Sequence, residues 1–181
     1  MNIREFINVC WLSVLLISCG KEDIYNPMRA SVLHNGVLLS CVDSSNNDLL
    51  LNEDFIKQIK IYGLLSKKEI PFEIKEIEHN EIKRRYISFN AELPDEKSMH
   101  FNGGNEAQGT STINLNIDNH NLTLLFSFKY SCSNSENFGG SIITIEEITY
   151  GKEKIMRQES HLFNSDIFFC LEKNDKDFTL K

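Results

Sequence analysis

The sequence predicts an all-β protein, an antiparallel β-sandwich, and three observations indicate this fold class. Many short stretches alternate apolar and polar residues with a period of two, which is typical of strands with one buried and one wet face. Turns rich in asparagine, glycine and serine separate these stretches, and helical periodicity is scarce. With 181 residues, 41% of them hydrophobic, the chain is long enough to bury a core of normal size.

The first element is a short apolar run, Val9–Ile17, with one serine inside it. About 20 apolar residues are needed to cross a bilayer, so this run has instead the length of a signal-peptide core. Leu16-Ile17-Ser18-Cys19 has the order aliphatic, variable, small, cysteine, and resembles the lipobox of bacterial lipoproteins. The resemblance implies cleavage before Cys19 and lipid on its sulfur, which would hold the protein on a membrane. An ordinary secretory signal with an incidental cysteine is the alternative.

This interpretation divides the chain into three parts. Residues 1–18 are a lipoprotein signal peptide, residues 19–27 are the lipidated cysteine and its tether, and residues 28–181 are a single β-sandwich domain. Lys21-Glu22-Asp23 resembles the surface-export signal of Bacteroidota lipoproteins, although any soluble tether would also be charged. We therefore expect an outer-membrane location, with the protein lipid-anchored and exposed on the cell surface.

Short patterns predict the strands and turns of the first half. Asn35-Gly36 between two apolar runs predicts a β-hairpin, because both central residues of a type I′ turn need positive φ. A polar loop is predicted at Asp43–Asp48, and two strands are predicted within Asp54–Lys75. Pro71 cannot donate a ladder hydrogen bond, so the second of these strands should lie at a sheet edge. A helix is possible at Glu76–Arg85.

The second half contains the strictest alternation. Period two resumes at Ile87–Leu93, and a long loop is predicted at residues 94–109. A hairpin then joins Thr112–Asp118 to Leu122–Tyr130, with its turn at Asn119-His120.

Beyond this hairpin the pattern is less regular. Residues 133–140 are predicted as a loop, and the next strand keeps its isoleucines on one face only if a β-bulge inserts a residue near Glu146-Glu147. A tight turn is predicted at Tyr150-Gly151-Lys152. The closing strand is predicted at Ile167–Leu171, and a polar tail begins at Lys173.

Two long stretches also carry a resemblance. Asn47–Phe72 and Gly109–Lys154 are similar to small Bacteroidota lipoproteins with immunoglobulin- or transthyretin-like sandwiches. The resemblance implies the fold and the compartment, but most of that group have no assigned activity, so it implies no chemistry. The expected fold is therefore an immunoglobulin- or transthyretin-like sandwich after an N-terminal lipoprotein signal peptide.

The five cysteines have different expected fates. Cys10 leaves with the signal peptide and Cys19 carries lipid, so Cys41, Cys132 and Cys170 remain. At most one intramolecular disulfide is possible among three thiols, and export permits this bond without requiring it. None of the three shows the spacing of a zinc site. We expect buried thiols that behave as small apolar groups, and the disulfide question stays open.

Residues that could carry chemistry are scattered along the chain. The histidines lie singly in or beside predicted loops, which predicts solvated imidazoles rather than metal ligands; they are His34, His79, His100, His120 and His161. The loops Asp43–Asp48 and Asp118–Asn121 have oxygens suited to Ca²⁺ but lack EF-hand spacing. Ser141 follows two glycines but leads into a strand, so it does not form a nucleophile elbow.

Paired carboxylates are the remaining option for an enzyme, because glycosidases use two acids that flank a bond. Glu146 and Glu147 are adjacent, so a regular strand sends them to opposite faces, although a bulge could change this. Glu76 and Glu78 could share a face, and both pairs are interpreted as solvated edges. We therefore predict no catalytic residue, no metal and no cofactor, and we expect the protein not to be an enzyme.

Charge and aromatic content limit the partners. A chain with a net charge of −7 lacks the clustered basic residues of a nucleic-acid binder, so no nucleic-acid partner is expected. Trp11 is the only tryptophan and leaves with the signal peptide. A glycan site would therefore depend on the aromatics expected to be exposed, Tyr25, Tyr62 and Phe138.

The main hypothesis is a non-enzymatic lipoprotein that contacts the membrane through lipid on Cys19 and whose sandwich is an interaction module. Its ligand-binding residues and its protein or glycan partner are unknown. One alternative is a glycan-binding accessory protein of an outer-membrane uptake system, and another is a hydrolase whose residues meet only in the folded chain. The Pro71 strand could also accept a partner's strand by β-augmentation.

Overall fold

A computed structural model describes residues 30–79, 82–101, 105–133, 140–157, 167–175 and 177–181. Two β-sheets pack face to face around one hydrophobic core, so the prediction of an all-β sandwich is confirmed. The signal peptide, Cys19, the tether and the loop between residues 134 and 139 lie outside the described residues. The one described α-helix, α1 (Glu53–Lys57), has five residues, and no helix in the described ranges is long and apolar enough to cross a membrane.

The larger sheet has seven strands in the described part of the chain. These are β1 (Val32–His34), β3 (Lys60–Gly63), β6 (His100–Phe101), β7 (Glu106–Ile117), β8 (His120–Ser133), β9 (Gly140–Tyr150) and β10 (Glu153–Met156). Their order is β1-β9-β8-β7-β3, with β10 also paired to β9 and β6 also paired to β7. The long strands β7, β8 and β9 form the centre of the sheet.

The smaller sheet has five strands among the described residues. These are β2 (Gly36–Asp43), β4 (Phe72–His79), β5 (Ile82–Asn90), β11 (Ile167–Lys173) and β12 (Phe178–Leu180). Their order is β12-β11-β2-β5-β4. Two pairs, β1 with β9 and β11 with β2, are parallel, so both sheets are mixed rather than purely antiparallel. Side-chain alternation is the same in either direction, and the sequence pattern could not reveal these two pairings.

The β7–β8 hairpin supplies much of the core. Alternate side chains of both strands are fully or almost fully buried, and they are Ile113, Leu115, Ile117, Leu122, Leu124, Phe126 and Phe128. The predicted hairpin is therefore confirmed. Its turn lies one residue earlier than expected, because Asp118 and Asn119 adopt positive φ values of 47° and 63°. Asparagine and aspartate tolerate this region better than most residues.

The hairpin predicted at Asn35-Gly36 is wrong. β1 belongs to the larger sheet and β2 to the smaller sheet, so Asn35 carries the chain from one sheet to the other. Gly36 does not have the positive φ that a type I′ turn needs. Instead the Asn35 side-chain amide donates to the Ala91 carbonyl at 2.8 Å, and the Ala91 amide donates to the Asn35 carbonyl at 2.8 Å.

Several other local predictions can be compared directly. The β-bulge near Glu146-Glu147 is confirmed by a register shift beside Ser127 and Phe128. The turn at Gly151 is confirmed, with φ at 60°. Pro71 does precede an edge strand, since β4 pairs only with β5 in the described sheet. The helix considered at Glu76–Arg85 is wrong, because this stretch forms parts of strands β4 and β5.

Several short elements were not expected. A 3-10 helix, Leu49–Leu51, precedes α1, which overlaps the start of the predicted strand region, and Asn52 caps α1 by accepting from the amides of Asp54 and Phe55. The predicted 94–109 loop contains a 3-10 helix, Glu96–Ser98, and the strand β6, and β7 begins inside it. The predicted polar tail contains the strand β12. This strand is held in place because Phe178 is 1% exposed and packs into the core.

The three described cysteines form no disulfide. On adjacent parallel strands, Cys41 pairs with Leu171 and Cys170 pairs with Ser40. Paired residues share a face, so the Cys41 side chain enters the core with Leu171 while Cys170 lies on the opposite face with Ser40. A bond between the two thiols would have to cross the sheet. Cys132 lies in the other sheet, on β8.

Glu92 follows β5 and ties the two sheets together. Its carboxylate accepts from the amides of Leu65 at 2.9 Å and Ser66 at 2.6 Å, in the turn after β3. The side chain fits there because position 63 is glycine, where an added Cβ would lie 2.6 Å from the Glu92 carboxyl carbon. Gly63 and Glu92 therefore act as one unit.

We expect Gly63→Ala to lower the free energy of unfolding by about 1 kcal/mol or more, because the displaced carboxylate loses two backbone hydrogen bonds. In a Glu92→Ala background the same change should have a much smaller effect, since no carboxylate remains to be displaced. Urea denaturation of the four proteins in this double-mutant cycle measures the coupling. Strictly additive effects would contradict the contact.

A second prediction concerns pH. Burial raises the pKa of the Cys41 thiol well above its ordinary value, with smaller contributions from Cys170 and Asp48. The folded state therefore retains a proton that the unfolded state loses above about pH 8.5, and stability should fall by up to about 1.4 kcal/mol per pH unit there. Denaturant titrations between pH 8 and 9 measure this slope, because unfolded tyrosines have a pKa of about 10 and contribute little below pH 9.

The matched variant for this experiment is Cys41→Ala, which removes the titrating group and keeps a small apolar side chain. It should show a shallower decline of the unfolding free energy across the same pH interval. If the variant and the parent decline equally, the Cys41 thiol does not contribute to the pH dependence.

Candidate functional site

A groove crosses the outward face of the larger sheet, on the side opposite the core. It runs over β6, β7, β8, β9 and β10 and encloses about 370 Å³. Its polar lining consists of Ser98, His100, Gln108, Thr110, Ser127, Glu146 and Glu147, and Met156 forms one wall. We call this feature the bulge groove, because the bulge in β9 supplies both of its carboxylates.

The bulge explains how adjacent glutamates reach one groove. Ser127 pairs with Glu147 and Phe128 pairs with Ile145, so Glu146 is the extra residue of β9. Two residues of the bulged strand then oppose one residue of its neighbour, and the alternation of faces is interrupted. The Arg157 amide donates to the Glu146 carbonyl at 2.7 Å and holds the bulge from the β10 side. Glu146 and Glu147 therefore share the groove, whereas a regular strand would separate them.

Glu147 is held as a carboxylate. It accepts from Lys154 Nζ at 2.9 Å and from Thr149 Oγ1 at 3.0 Å. The Lys154 hydrogen bond, followed by that of Thr149, lowers the pKa of Glu147 below its ordinary value. Glu147 is therefore ionised at neutral pH and is not the proton donor that a two-carboxylate hydrolysis requires.

The wall that carries His100 depends on a glycine. Gly109 of β7 is buried, and a Cβ at this position would lie 2.1 Å from the Met99 sulfur and 3.2 Å from the Ser98 carbonyl oxygen. The absence of a side chain lets the segment from Pro94 to Met99 pack closely against β7. Directly after it, His100 pairs with Gln108 in β6 and enters the groove lining.

The other predicted histidine and acid positions do not converge. Among the described residues, no group of three or more histidine, cysteine, aspartate and glutamate side chains could hold a metal ion. His120 Nδ1 lies 2.8 Å from the Asp118 carbonyl oxygen, and its ring packs edge-on against Phe178. Asp43 accepts from the amides of Ser45 and Asn47, so it stabilises its own turn. His161 and the side chain of His79 lie outside the described part.

Ser141 and the Glu76–Glu78 pair have structural roles. Ser141 exchanges hydrogen bonds with Ser31, each amide donating to the other hydroxyl at 3.2 Å and 3.3 Å, and this joins β9 to the start of β1. Lys83 Nζ lies 3.7 Å from Glu76 and 3.9 Å from Glu78, across the exposed β4–β5 hairpin. This carboxylate pair therefore forms part of a solvated edge.

One of the three aromatics predicted to be exposed can be located. Tyr62 of β3 is half-buried and pairs with Asn114, whose side chain points outward from the larger sheet. Tyr25 and Phe138 lie outside the described residues. The sequence did not single out Gln108, Thr110 or Ser127 as lining residues, because outward threonines and serines occur on most wet sheet faces.

Comparisons of the chain with protein-family models, with curated proteins and with solved structures give no match. The features that bear on function are therefore the groove, the sheet face around it and the N-terminal sequence. The immunoglobulin- or transthyretin-like subtype and the lipoprotein resemblance stay predictions.

Gly109→Ala tests how the His100 wall is held. We expect it to lower the free energy of unfolding by about 1–3 kcal/mol, because the new methyl group overpacks Met99. Gly140→Ala is the matched control, since a Cβ there meets only the Ser31 hydroxyl at 4.0 Å. The control should change stability by about 0.5 kcal/mol or less. Equal effects of the two substitutions in urea denaturation would contradict the close packing at Gly109.

Proposed function

We propose that this chain is a lipid-anchored, non-enzymatic β-sandwich that serves as an interaction module at the outer membrane, exposed on the cell surface. The observation that carries the proposal is the lipobox-like Leu16-Ile17-Ser18-Cys19 at the end of a short apolar run. Lys21-Glu22-Asp23 after the cysteine supports surface exposure. Lipid on Cys19 is the membrane contact, and stable attachment needs more than one acyl chain.

The position at which the chain enters the fold is compatible with a tether. Ala30 leads directly into β1, which lies at the edge of the larger sheet beside β9. An extended segment from Cys19 to Ala30 spans at most about 40 Å. Since β9 carries both groove glutamates, the tether joins the domain one strand away from the bulge groove.

The chemistry of the groove supports binding rather than catalysis. The groove is open, its lining is part polar and part apolar, and its carboxylate at Glu147 is already paired with Lys154 and Thr149. To act as the proton donor Glu147 would need a pKa raised toward neutrality, and the pKa of Glu147 is lowered instead. A partner could nevertheless be recognised by hydrogen bonds from the groove hydroxyl and amide groups.

Cys19→Ala tests the anchor. In the native host grown with labelled palmitate, we expect this variant to lose the label and to keep residues 1–18, because the modified sulfur is absent. Cys10→Ala is the matched control, since it removes a thiol from the same segment and should leave labelling and cleavage intact. Intact mass spectrometry of the purified proteins identifies the mature first residue.

Two results would contradict this proposal. One is a labelled Cys19→Ala protein, and the other is an unlabelled parent protein that begins at Met1. Protease treatment of intact cells then tests surface exposure, and complete protection of a labelled protein would restrict it to the inner side of the membrane.

A further inference from the structure

The outward face of the larger sheet has an unusual composition for a chain with a net charge of −7. Two of its three central strands, β7 and β8, present mostly neutral hydrogen-bonding side chains. They are Gln108, Thr110, Thr112, Asn114 and Asn116 of β7, with Asn121, Thr123 and Ser127 of β8. Most of these groups both donate and accept hydrogen bonds.

These side chains form ordered cross-strand rows. Thr110 pairs with Ser127, and Asn114 pairs with Thr123, whose hydroxyl donates to the Asn114 side-chain oxygen at 3.0 Å. Residues two apart on a strand share a face, so the rows repeat about every 7 Å along the sheet. The face therefore offers a regular array of hydroxyl and amide groups.

The charged side chains around this array are few, and most of them are paired. Lys129 pairs with Glu106 at 3.0 Å, and Lys154 pairs with Glu147 at 2.9 Å. Lys60 and Glu146 also lie on this face, and Glu69 joins it as the bridge partner of Tyr62. These residues give no strong excess of either sign, so this face suits an uncharged ligand better than a polyanion or a polycation.

An aromatic ring borders the array. Tyr62 lies in the row of Asn114 and Thr123, and its ring offers an apolar surface beside the hydroxyl groups. The bulge groove lies two rows away, about 14 Å along β7 from that row. A ligand that contacts both must be extended. Met156, which is 59% exposed, and Leu125, which is 37% exposed, add small apolar contacts between polar groups.

We propose that this face binds an extended, uncharged polysaccharide, with sugar hydroxyls hydrogen-bonded along β7 and β8 and one sugar ring stacked on Tyr62. A sugar polymer matches the face because it presents many hydroxyls, apolar ring faces and no charge. A nucleic acid would require unpaired cations, whereas Lys129 and Lys154 of this face are paired with carboxylates. A protein interface would require a larger apolar centre. The proposal rests on the proposed function, since it names the ligand class of that interaction module.

The test is affinity electrophoresis of the full, detergent-solubilised protein in gels that contain one polysaccharide each. The uncharged probes are starch, laminarin, galactomannan and xyloglucan, and the charged controls are heparin and polygalacturonate. We expect at least one uncharged polysaccharide to retard the protein and neither charged one to do so. Retardation by none of the four uncharged probes, or only by a charged one, overturns the proposal.

Single substitutions locate the site. Thr110→Ala should weaken retention by about two- to tenfold through loss of a hydrogen bond, and Tyr62→Ala should weaken it at least as much through loss of stacking. Ser88→Ala, on β5 of the smaller sheet, is the matched surface control and should leave retention unchanged. Unchanged thermal unfolding of all three variants shows that the fold is intact. Equal retention of the three variants contradicts the assigned face.

The polysaccharide-binding test and the Cys19 labelling test can fail independently of each other. Binding is measured in detergent, so it does not require Cys19 to be lipidated, and a labelled Cys19 does not require a glycan. If crosslinking on intact cells captures a polypeptide that is lost in Thr110→Ala and Tyr62→Ala but kept in Ser88→Ala, the face binds a protein. That result would overturn the polysaccharide proposal while leaving the interaction module intact.

Discussion

The strict alternation of side chains in β7 and β8 is the constraint on which the rest of the structure depends. In each strand every second residue enters the core, and Ile113, Leu115 and Phe126 are completely buried. A shift of one residue in the register would exchange the two faces and place threonine and asparagine in the core. The pairing of these strands therefore fixes both the core and the composition of the outward face.

The bulge in β9 shows how one inserted residue changes a sheet without disturbing its core. Ile143 and Ile145 precede it and Ile148 follows it, and all three side chains are buried. A regular strand that kept Ile143 and Ile145 inside would expose Ile148 and bury Glu147, and an unpaired buried carboxylate is strongly unfavourable. The inserted Glu146 avoids both outcomes, and as a consequence two carboxylates lie together on the outward face.

Local patterns predicted the strands better than their partners. The β7–β8 hairpin, the bulge and the edge position after Pro71 follow from alternation, isoleucine spacing and a missing amide hydrogen, which are all local properties. Asn35-Gly36 gave a wrong prediction because a pair of residues that suits a tight turn also suits a crossing between sheets. In the structure Asn35 hydrogen-bonds to Ala91, which is distant in sequence. The wall of the bulge groove could not be predicted from local patterns either, since β6 has only two residues and is positioned by a contact between Gly109 and Met99.

The edges of the smaller sheet favour recognition by a face rather than by strand addition. β4 has an outer edge without a partner strand in the described sheet, and an added strand could in principle pair with it. Its exposed side chains are Glu73, Lys75, Glu76 and Glu78, and Pro71 precedes it. Charges and proline at an edge oppose pairing with another chain. The outward face of the larger sheet differs, because most of its charges are paired and its hydroxyl and amide groups are directed to solvent. This contrast is why we assign recognition to that face.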